Sequence, residues 1–399
     1  MIRRVREILT GNYARLQMGA LAVSIFSACG QSAAVAQSSI NPDHSNDPHV
    51  PVVLMYHDII PDRAALEAKA LAERHALEQA KLTGGSPAPT VEPRGDVLQS
   101  HFESQLQWLV NQGGFNVISV DDLYAFLLTG RNKKGEILPP NPVVLTFDDG
   151  YQSGTYVQQR LGGRFGVRTG LPATFFVHTS FIGVVPTAPQ LASDPFAKRH
   201  LSLTELQGIV LDLVKNGQSE SMPSYSHLFR VGSHTLTHPQ LSSLIGKPSL
   251  RQNRSALEDE LKDSRLFLES NLGNVMGKDP AFAGQLRYPA DFFAYPYGNI
   301  TPPNQPFNPA VLEATKEACY KMAFIIGYPS NMPEGAKQSI LAIPRVEMSM
   351  DVHVGPGNTD SKQDGTKSLP ELIRQYKRDY GHYLLQKHIA IPRPPQCEE

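Results

Sequence analysis

The stretch PVVLTFDDG, residues Pro142 to Gly150, decides the fold of this chain. Its first six residues are uncharged and rich in apolar side chains, which is typical of a strand buried on both faces of a parallel sheet. Two carboxylates, Asp148 and Asp149, follow directly. A buried carboxylate costs several kcal/mol unless a cation or donor compensates it, so this pair indicates a place where charge is used.

Other short runs rich in β-branched and aromatic residues are also predicted as strands. They are Val50–His57, Phe115–Ser119, Pro172–His178, Phe229–Ser233, Asp291–Tyr295, Met322–Ile326 and Leu341–Val346. Helical patterns lie between them at His101–Val110, Ser202–Leu213 and Ser255–Leu272. This alternation predicts an α/β fold, and about eight strands favour a distorted or incomplete (β/α) barrel over a doubly wound sheet.

The composition excludes several classes of protein. With 37 basic and 38 acidic residues, the formal net charge is −1, which argues against a protein that coats nucleic acid. The hydrophobic fraction of 41% is too high for a disordered chain. Three cysteines are too few for a disulfide framework or a zinc-thiolate site. Cys319 and Cys397 can pair in an oxidising compartment, although their spacing does not demand it.

The N-terminus is predicted to be a leader rather than part of the fold. Basic residues precede the uncharged run Met18–Ala28, and Ala34–Ala36 supplies an A-x-A cleavage pattern. Residues 1–36 are therefore interpreted as a signal peptide, which predicts a periplasmic or secreted protein. A lipoprotein signal is the alternative, because Phe26–Ala28 before Cys29 resembles a lipobox; lipidation of Cys29 would anchor the protein to a bacterial membrane.

The rest of the chain divides into a linker, one large domain and a short extension. Residues 37–49 are polar, and residues 50–350 hold all the predicted strands. A charged, Ala-rich helix and a Gly/Pro-rich loop near 63–95 are predicted to be an insertion. Residues 351–399, with a predicted helix at 369–385, are too few for a second folded domain.

Chemically useful side chains stand at the ends of the predicted strands, where barrels place their active residues. His57 follows the first strand, and His234 and His238 follow the strand at 229–233. Four residues apart on a helical turn, these two imidazoles would share one face and one metal ion. One Asp and two His leave open positions on a divalent cation, as a hydrolytic site requires. The second Asp is then free to act as base, and His57 as acid.

Three motifs together resemble those of a known family. T-F-D-D-G (146–150), H-T-L-T-H (234–238) and Y-P-Y-G (295–298) are similar to the polysaccharide deacetylases of carbohydrate esterase family 4, the NodB-homology domain. The entry strand L-M-Y-H-D-I (54–59) and P-A-T-F-F-V (172–177) resemble the subgroup that includes bacterial poly-β-1,6-N-acetylglucosamine N-deacetylases. The resemblance covers roughly residues 50 to 350.

The resemblance implies roles for five side chains. Asp149, His234 and His238 match the metal ligands of the family. Asp148 matches the general base that takes a proton from the attacking water, and His57 matches the general acid of this subgroup. The implied cofactor is one divalent metal ion; zinc suits the ligand set best, and cobalt, nickel or iron suit it too.

A backbone group and one missing arginine complete the comparison with the family motifs. The backbone N–H of Tyr297 matches the donor to the oxyanion. Many members carry an Arg that braces the base where this chain has Ala294. Arg345 is the candidate replacement, with a surface Arg as the alternative. The late L-x-H motif is not found after residue 330, and His353 is interpreted as part of a loop rather than as the acid.

The predicted function is a metal-dependent hydrolase that removes N-acetyl groups from an extracytoplasmic polysaccharide containing N-acetylglucosamine, an exopolysaccharide or cell wall. An O-acetyl esterase acting on a xylan-like glycan and an inactive glycan-binding protein on the same scaffold are the alternatives. No G-x-S-x-G or H-E-x-x-H motif occurs, which argues against a serine hydrolase or a zincin. The expected partner is the polysaccharide itself, with no nucleic acid and no obligate protein partner.

Overall fold

A computed structural model of the chain describes residues 43–62, 76, 78–82, 96–162, 170–193, 197–216, 224–249, 251, 254–276, 288–301, 306–354, 367–385 and 397. The predicted signal peptide, residues 1–36, lies outside the described residues. So does most of the predicted insertion near 63–95, of which residues 76, 78–82 are described and are helical.

The described strands and helices alternate along the chain as the sequence predicts. The strands are β1 Val52–Tyr56, β2 Ile59–Ile60, β3 Val97–Leu98, β4 Asn116–Val117, β5 Pro142–Phe147, β6 Ala173–Val177, β7 Leu213–Asn216, β8 Ser224–His227, β9 Phe229–Ser233, β10 Phe292–Ala294, β11 Met322–Ile325, β12 Ile343–Pro344, β13 Val346–Glu347, β14 Val352–His353 and β15 Lys367–Ser368. The α-helices are α1 Gln99–Gln107, α2 Val120–Thr129, α3 Gly154–Leu161, α4 Ala188–Ser193, α5 Leu203–Val210, α6 Ala256–Glu258, α7 Ser264–Met276, α8 Ala310–Glu317, α9 Glu334–Lys337 and α10 Leu369–Leu385. Two π-helical turns adjoin these helices: α1 runs into Trp108–Gln112, and Asp259–Asp263 joins α6 to α7.

One parallel sheet organises the fold. Among the described residues it has nine strands, in the order β12-β11-β10-β9-β6-β5-β1-β13, with β4 attached to β5. Every pairing in it is parallel. All carboxyl ends of these strands therefore point to the same end of the sheet. The longer strands β1, β5, β6 and β9 are buried along their whole length, which suits their predominantly uncharged sequences; Arg230 in β9 is the one charged residue among them.

The sheet curls into a nearly closed barrel, as its connectivity requires. Strand β12 pairs with β11 at one edge, and β13 pairs with β1 at the other. Only Arg345 separates Pro344, the last residue of β12, from Val346, the first of β13. The two edges of the sheet therefore meet at this residue. The predicted incomplete (β/α) barrel is confirmed.

Some strand and helix predictions differ from the structure in informative ways. The bounds of β5 and β9 are those predicted, but the predicted strand Leu341–Val346 is wrong as one element, because its two halves pair with opposite edges of the barrel. His353 lies in the short strand β14 rather than in a loop. The start of the predicted helix Ser202–Leu213 is confirmed, because Ser202 and Glu205 form a full capping box, but its end is wrong: the helix ends at Val210, and Leu213 begins β7.

The C-terminal extension packs onto the barrel. Contacts group Pro42–Glu399 into one unit, and the predicted helix over 369–385 is present as α10. The Tyr376 hydroxyl donates to the Pro344 carbonyl at 2.9 Å, and the buried Lys377 ammonium donates to the Asp47 carbonyl at 2.8 Å. Cys319 and Cys397 form a disulfide. No helix among the described residues has the length and apolarity needed to cross a membrane.

Candidate active site

The two adjacent carboxylates at the end of β5 face the same site because the backbone turns between them. Side chains of neighbouring strand residues ordinarily point to opposite faces. Asp149, however, has φ 70°, in the left-handed region that Asp tolerates better than most residues. Gly150 follows with φ 67°, and a Cβ there would lie 2.8 Å from Cγ1 of Val177. A glycine is therefore required for this turn to approach β6.

Arg345 holds Asp148 with two hydrogen bonds. Its Nη1 and Nη2 donate to Oδ1 and Oδ2 of Asp148, each at 2.7 Å, and Nη1 also donates to the Thr146 hydroxyl at 3.3 Å. Both side chains of the ion pair are buried. Burial by itself raises the pKa of Asp148, but the charge of Arg345, the charge of His234 and the hydrogen bonds from Arg345 together outweigh it, so the pKa lies below its ordinary value. The structure thus places Arg345 beside Asp148 and not on the surface.

Asp149 and the two histidines of the H-T-L-T-H motif converge on one point. Oδ1 of Asp149 lies 3.4 Å from Nε2 of His234 and 3.4 Å from Nε2 of His238, and the two Nε2 atoms are 3.1 Å apart. Asp149 Oδ1 is buried and has no hydrogen-bond partner in the described part of the chain. Among the described residues, Asp149, His234 and His238 form a group that could hold a metal ion, and we call these three residues the triad.

The geometry of these three atoms fits a bound metal ion. Ligand bonds of about 2.1 Å in tetrahedral geometry separate the ligand atoms by about 3.4 Å, close to the observed separations. His234 Nδ1 contacts the Ala294 carbonyl oxygen at 2.7 Å. Donation of the Nδ1 proton to that carbonyl leaves the Nε2 lone pair free for a metal, the arrangement common in metal-binding histidines. An Asp-His-His set suits zinc and related divalent ions.

Burial and neighbouring charges shift the pKa values of all three residues of the triad. Burial raises the pKa of Asp149, but the close imidazole of His234 and the charges of His57 and His238 outweigh this and hold the pKa well below its ordinary value. Burial lowers the pKa of His238 to about 4, and the charge of His234 adds to this effect. His234 shows the opposite balance, since the neighbouring Asp148 and Asp149 overcome burial and raise its pKa.

The turn that carries the two histidines is not helical, and the predicted helical spacing is therefore wrong. Residues 234–238 form an irregular turn in which Thr235 has φ 73° and His238 has φ 61°. The imidazole rings nevertheless meet, with centroids 4.7 Å apart. Glu260 holds this turn by accepting hydrogen bonds from the backbone N–H groups of Leu236 and Thr237, at 3.0 and 2.8 Å.

His57 lies at the same mouth of the barrel. It follows β1, and its charge lowers the pKa of both Asp148 and Asp149, after the larger contributions of burial and their closer partners. Its side chain is half-buried, and its Nδ1 has no hydrogen-bond partner among the residues described. The next residue, Asp58, forms an ion pair with Lys198 at 3.5 Å. Lys198 is also paired with the buried Asp96.

Tyr297 forms part of the rim of the site. It adopts the left-handed region, with φ 59°, and its ring packs edge-on against His238 at 4.7 Å between centroids. The side chain is 56% exposed. Gly298 follows with φ 63°, where a Cβ would lie 2.2 Å from the Ile326 side chain. The Y-P-Y-G motif therefore forces the chain into a tight turn beside the second histidine.

Three residues near the triad were missed by the sequence analysis. His178, at the end of β6, has Nε2 3.9 Å from Asp149 Oδ1, and burial lowers its pKa to about 3. Burial, with the charge of Asp149 adding to it, raises the pKa of Tyr151, and His200 packs against the rings of Tyr151 and His178. The rule applied to the other strand ends would have found His178, whereas no sequence signal marks the other two.

Comparison with known proteins adds a family match. The model of the polysaccharide deacetylase family matches residues 136–323. This stretch contains Asp148, Asp149, His234, His238 and Tyr297, whereas His57 and Arg345 lie outside it. The chain is therefore similar to polysaccharide deacetylases over the part that builds most of the site.

Several solved structures are similar to the chain at low sequence identity. The Streptococcus pyogenes deacetylase PplD in complex with acetate is 18% identical, with 76% of this chain and 93% of that chain covered and a TM-score of 0.42. IcaB from Ammonifex degensii is 19% identical, with 76% and 93% covered and a TM-score of 0.43. The BpsB deacetylase domain from Bordetella bronchiseptica is 19% identical, with 76% and 96% covered and a TM-score of 0.39. No curated protein matches the sequence.

Replacing Arg345 is expected to destabilise the protein because it leaves the Asp148 carboxylate buried without its cation. We expect Arg345→Ala to lower the free energy of unfolding by about 3–5 kcal/mol at neutral pH, measured by urea denaturation. The double variant Asp148→Asn/Arg345→Met, which removes both charges, should recover most of this loss. A double variant no more stable than Arg345→Ala would contradict this explanation.

The same destabilisation should shrink as the pH falls. In the wild-type protein the pKa of Asp148 is lowered by folding, so its contribution is present above the unfolded pKa and is lost as pH falls through the folded pKa. Without Arg345, burial raises that pKa, so the variant gains stability relative to neutral pH once the carboxyl takes up a proton. The difference between Arg345→Ala and wild type should therefore be smaller at about pH 5 than at neutral pH.

Proposed function

We propose that this protein is a metal-dependent hydrolase that removes N-acetyl groups from an extracytoplasmic polysaccharide containing N-acetylglucosamine. One observation carries the proposal: three ligand atoms of Asp149, His234 and His238 lie 3.1–3.4 Å apart, beside a carboxylate, Asp148, that an arginine holds in place. The match of residues 136–323 to the polysaccharide deacetylase family supports the acetylated glycan as substrate.

Asp149, His234 and His238 would hold the divalent metal ion. When bound, such an ion polarises an acetyl carbonyl and lowers the pKa of water, which makes hydrolysis feasible at neutral pH. The protein buries and orients one of these ligands: His234 is 2% exposed, and its Nδ1 contacts the Ala294 carbonyl oxygen at 2.7 Å. Zinc is the ion that this ligand set favours, and cobalt, nickel and iron suit the same donors.

Asp148 is suited to act as the general base. Each of its oxygens accepts one hydrogen bond from Arg345, and a carboxylate oxygen has a second lone pair that can accept a proton. Its Oδ2 lies 4.0 Å from Nε2 of His234, next to the ligand atoms. Arg345 keeps the group ionised and fixes its orientation, so it acts as a positioning residue for the base.

His57 is the imidazole best placed to act as general acid. An amine is a poor leaving group unless it is protonated, so cleavage of an amide needs a proton donor. Of the imidazoles at this mouth, His234 and His238 belong to the ligand set, while His178 and His200 are buried. His57 is half-buried and its Nδ1 lacks a partner among the described residues, which leaves its ring free to serve the substrate.

Tyr297 closes the rim where the acetyl group would lie. We assign its backbone N–H the role of donor to the oxyanion that forms as water adds to the carbonyl. The left-handed turn at Tyr297 and its packing against His238 support this assignment, because they fix the peptide beside the ligand set.

Two features favour a substrate outside the cytoplasm. The leader predicted at residues 1–36 has the pattern of an export signal. The disulfide between Cys319 and Cys397 suits an oxidising compartment. The formal net charge of −1 suits a neutral acetylated glycan rather than a strongly anionic polymer.

The motif order favours poly-β-1,6-linked N-acetylglucosamine as the polymer. His57 stands in the motif L-M-Y-H-D-I ahead of the T-F-D-D-G strand, and in the structure both motifs end neighbouring strands of the barrel. The most direct test is acetate release from oligomers of β-1,6- and β-1,4-linked N-acetylglucosamine, peptidoglycan and acetylated xylan, before and after chelation and metal add-back. We expect release from the β-1,6 oligomers, its loss on chelation and its return with metal. Release from xylan alone would contradict the proposal.

Separating the base from the metal site is the aim of a second test. Asp148→Asn should reduce acetate release by about 10²–10⁴-fold or more while its metal content stays near that of wild type, because the residue is not a ligand. His234→Ala should lose both metal and activity. Metal content is measured by elemental analysis after gel filtration, and an Asp148→Asn enzyme with wild-type activity would refute the assignment of the base.

A third test distinguishes amide from ester hydrolysis. His57→Ala should reduce acetate release from N-acetylglucosamine oligomers by about 10²–10⁴-fold, but should slow hydrolysis of an aryl acetate ester much less, because an aryl oxide leaves without protonation. The ratio of the two rates in one protein preparation is the measurement. If His57→Ala leaves the hydrolysis rates of both substrates unchanged, the O-acetyl esterase is favoured.

A further inference from the structure

We infer that Glu260 is a positioning residue of the metal site, which it serves by anchoring the backbone of the turn between the two histidines. The inference rests on the proposed function, since it concerns the same Asp149, His234 and His238 set. Glu260 lies in a helical segment more than 20 positions after the histidine motif, and no motif in the sequence marks it.

The turn itself is conformationally unfavourable and needs support. Thr235 and His238 both have positive φ, at 73° and 61°. A positive φ is uncommon outside glycine and is a clear outlier for a β-branched residue such as threonine. Backbone in such conformations persists only where the surrounding structure determines it. A free turn of this sequence would therefore relax and move the ring of His238.

Glu260 supplies that support with a complete set of acceptors. Its Oε2 accepts the backbone N–H groups of Leu236 and Thr237, at 3.0 and 2.8 Å, and its Oε1 accepts the Thr237 hydroxyl at 2.6 Å. The side chain is 9% exposed. Hydrogen bonds to an ionised acceptor in a buried setting are among the stronger ones in proteins.

The helical segment that carries Glu260 departs from a regular α-helix where it meets the turn. Between α6 and α7 it widens into the π-helical turn Asp259–Asp263, and π-helical turns often accompany functional sites. Ser264, at the start of α7, donates its hydroxyl to the Thr235 carbonyl at 2.9 Å. Two side chains from one helical segment thus hold both halves of the turn.

The position of His238 depends on the hydrogen bonds that Glu260 and Ser264 make with the backbone of the turn. The N–H of His238 donates to the Thr235 hydroxyl at 2.9 Å, so His238 is tied to the same turn that Glu260 and Ser264 hold. Its Nε2 must lie 3.4 Å from Asp149 Oδ1 and 3.1 Å from His234 Nε2 for the set to close on one ion. Removing the hydrogen bonds of Glu260 should therefore weaken metal binding without removing a metal ligand.

The test compares metal affinity in Glu260→Ala, Glu260→Gln and Glu258→Ala. Outer residues that orient metal ligands change affinity by about 10–100-fold when removed, and we expect a loss in this range for Glu260→Ala, measured by zinc titration against a competing chelator. Glu260→Gln should keep most of the affinity, because its amide oxygen can still accept both N–H groups. Equal losses in the Ala and Gln variants would overturn the anchoring role.

Glu258→Ala is the matched control in the same helical segment. Glu258 belongs to the capping box of Ser255 and pairs with Lys262, so its removal destabilises the helix without touching the turn. We expect a lower urea midpoint and unchanged zinc affinity. If Glu258→Ala lost affinity as Glu260→Ala does, the effect would be general destabilisation and the inference would be wrong.

Two further measurements keep the inference testable. If Glu260→Ala does not fold, Glu260→Asp, whose carboxylate is one methylene short, should show a smaller loss of the same kind, and wild-type affinity there would overturn the inference. In metal-free protein, hydrogen exchange at Leu236 and Thr237 should be faster in Glu260→Ala than in Glu258→Ala, and equal rates would also overturn it. A wild-type chain that binds none of zinc, cobalt, nickel and iron would refute the proposed function, whereas wild-type affinity in Glu260→Ala would refute this inference alone.

Discussion

The buried ion pair of Arg345 and Asp148 is the constraint on which the rest of the site depends. Arg345 is the one residue between β12 and β13, the strands at the two edges of the sheet. Its guanidinium lies 5.8 Å from the ring centroids of Phe176 and Phe324 and reaches Asp148 at 2.7 Å. A charge buried among aromatic rings is tolerated only with a well-placed counter-charge. The residue at which the barrel closes is therefore also the residue that orients the candidate base.

Much of the fold could be predicted because strands buried on both faces leave a local record. The apolar run Pro142–Phe147 predicts both ends of β5, and Phe229–Ser233, in which Phe229 and Val231 alternate with other residues, predicts both ends of β9. Parallel strands also place their carboxyl ends together, so listing the residues at those ends was enough to gather Asp148, Asp149, His234 and His238. The side chains of the candidate site can thus be predicted from the sequence at the strand ends.

What the sequence could not give are the contacts that depend on distant pairing. Leu341–Val346 looks like one strand, and only the closed barrel shows that its halves belong to opposite edges. The same closure decides whether Arg345 is buried or on the surface. Spacing alone also suggested a helix for His234 to His238, because a four-residue separation does not reveal a turn held by side chains of another segment. Glu260 lies in a helix whose charges look like those of an ordinary surface.

The two adjacent aspartates show how one motif can supply two roles. Neighbouring carboxylates at one site would normally repel, and one of them would take up a proton. Here both keep lowered pKa values, because Arg345 is the main cation beside Asp148, with His234 and His57 adding to it, whereas the imidazoles lower the pKa of Asp149. The left-handed backbone at Asp149 makes this separation possible, since it directs the second carboxylate to the histidines while the first stays on the arginine. In the proposed mechanism this arrangement keeps Asp148 apart from the candidate metal ligands and leaves Asp149 to the histidines. The separation between the candidate ligand and the candidate base thus depends on one backbone angle, at Asp149, and on one arginine that is distant in the sequence, Arg345.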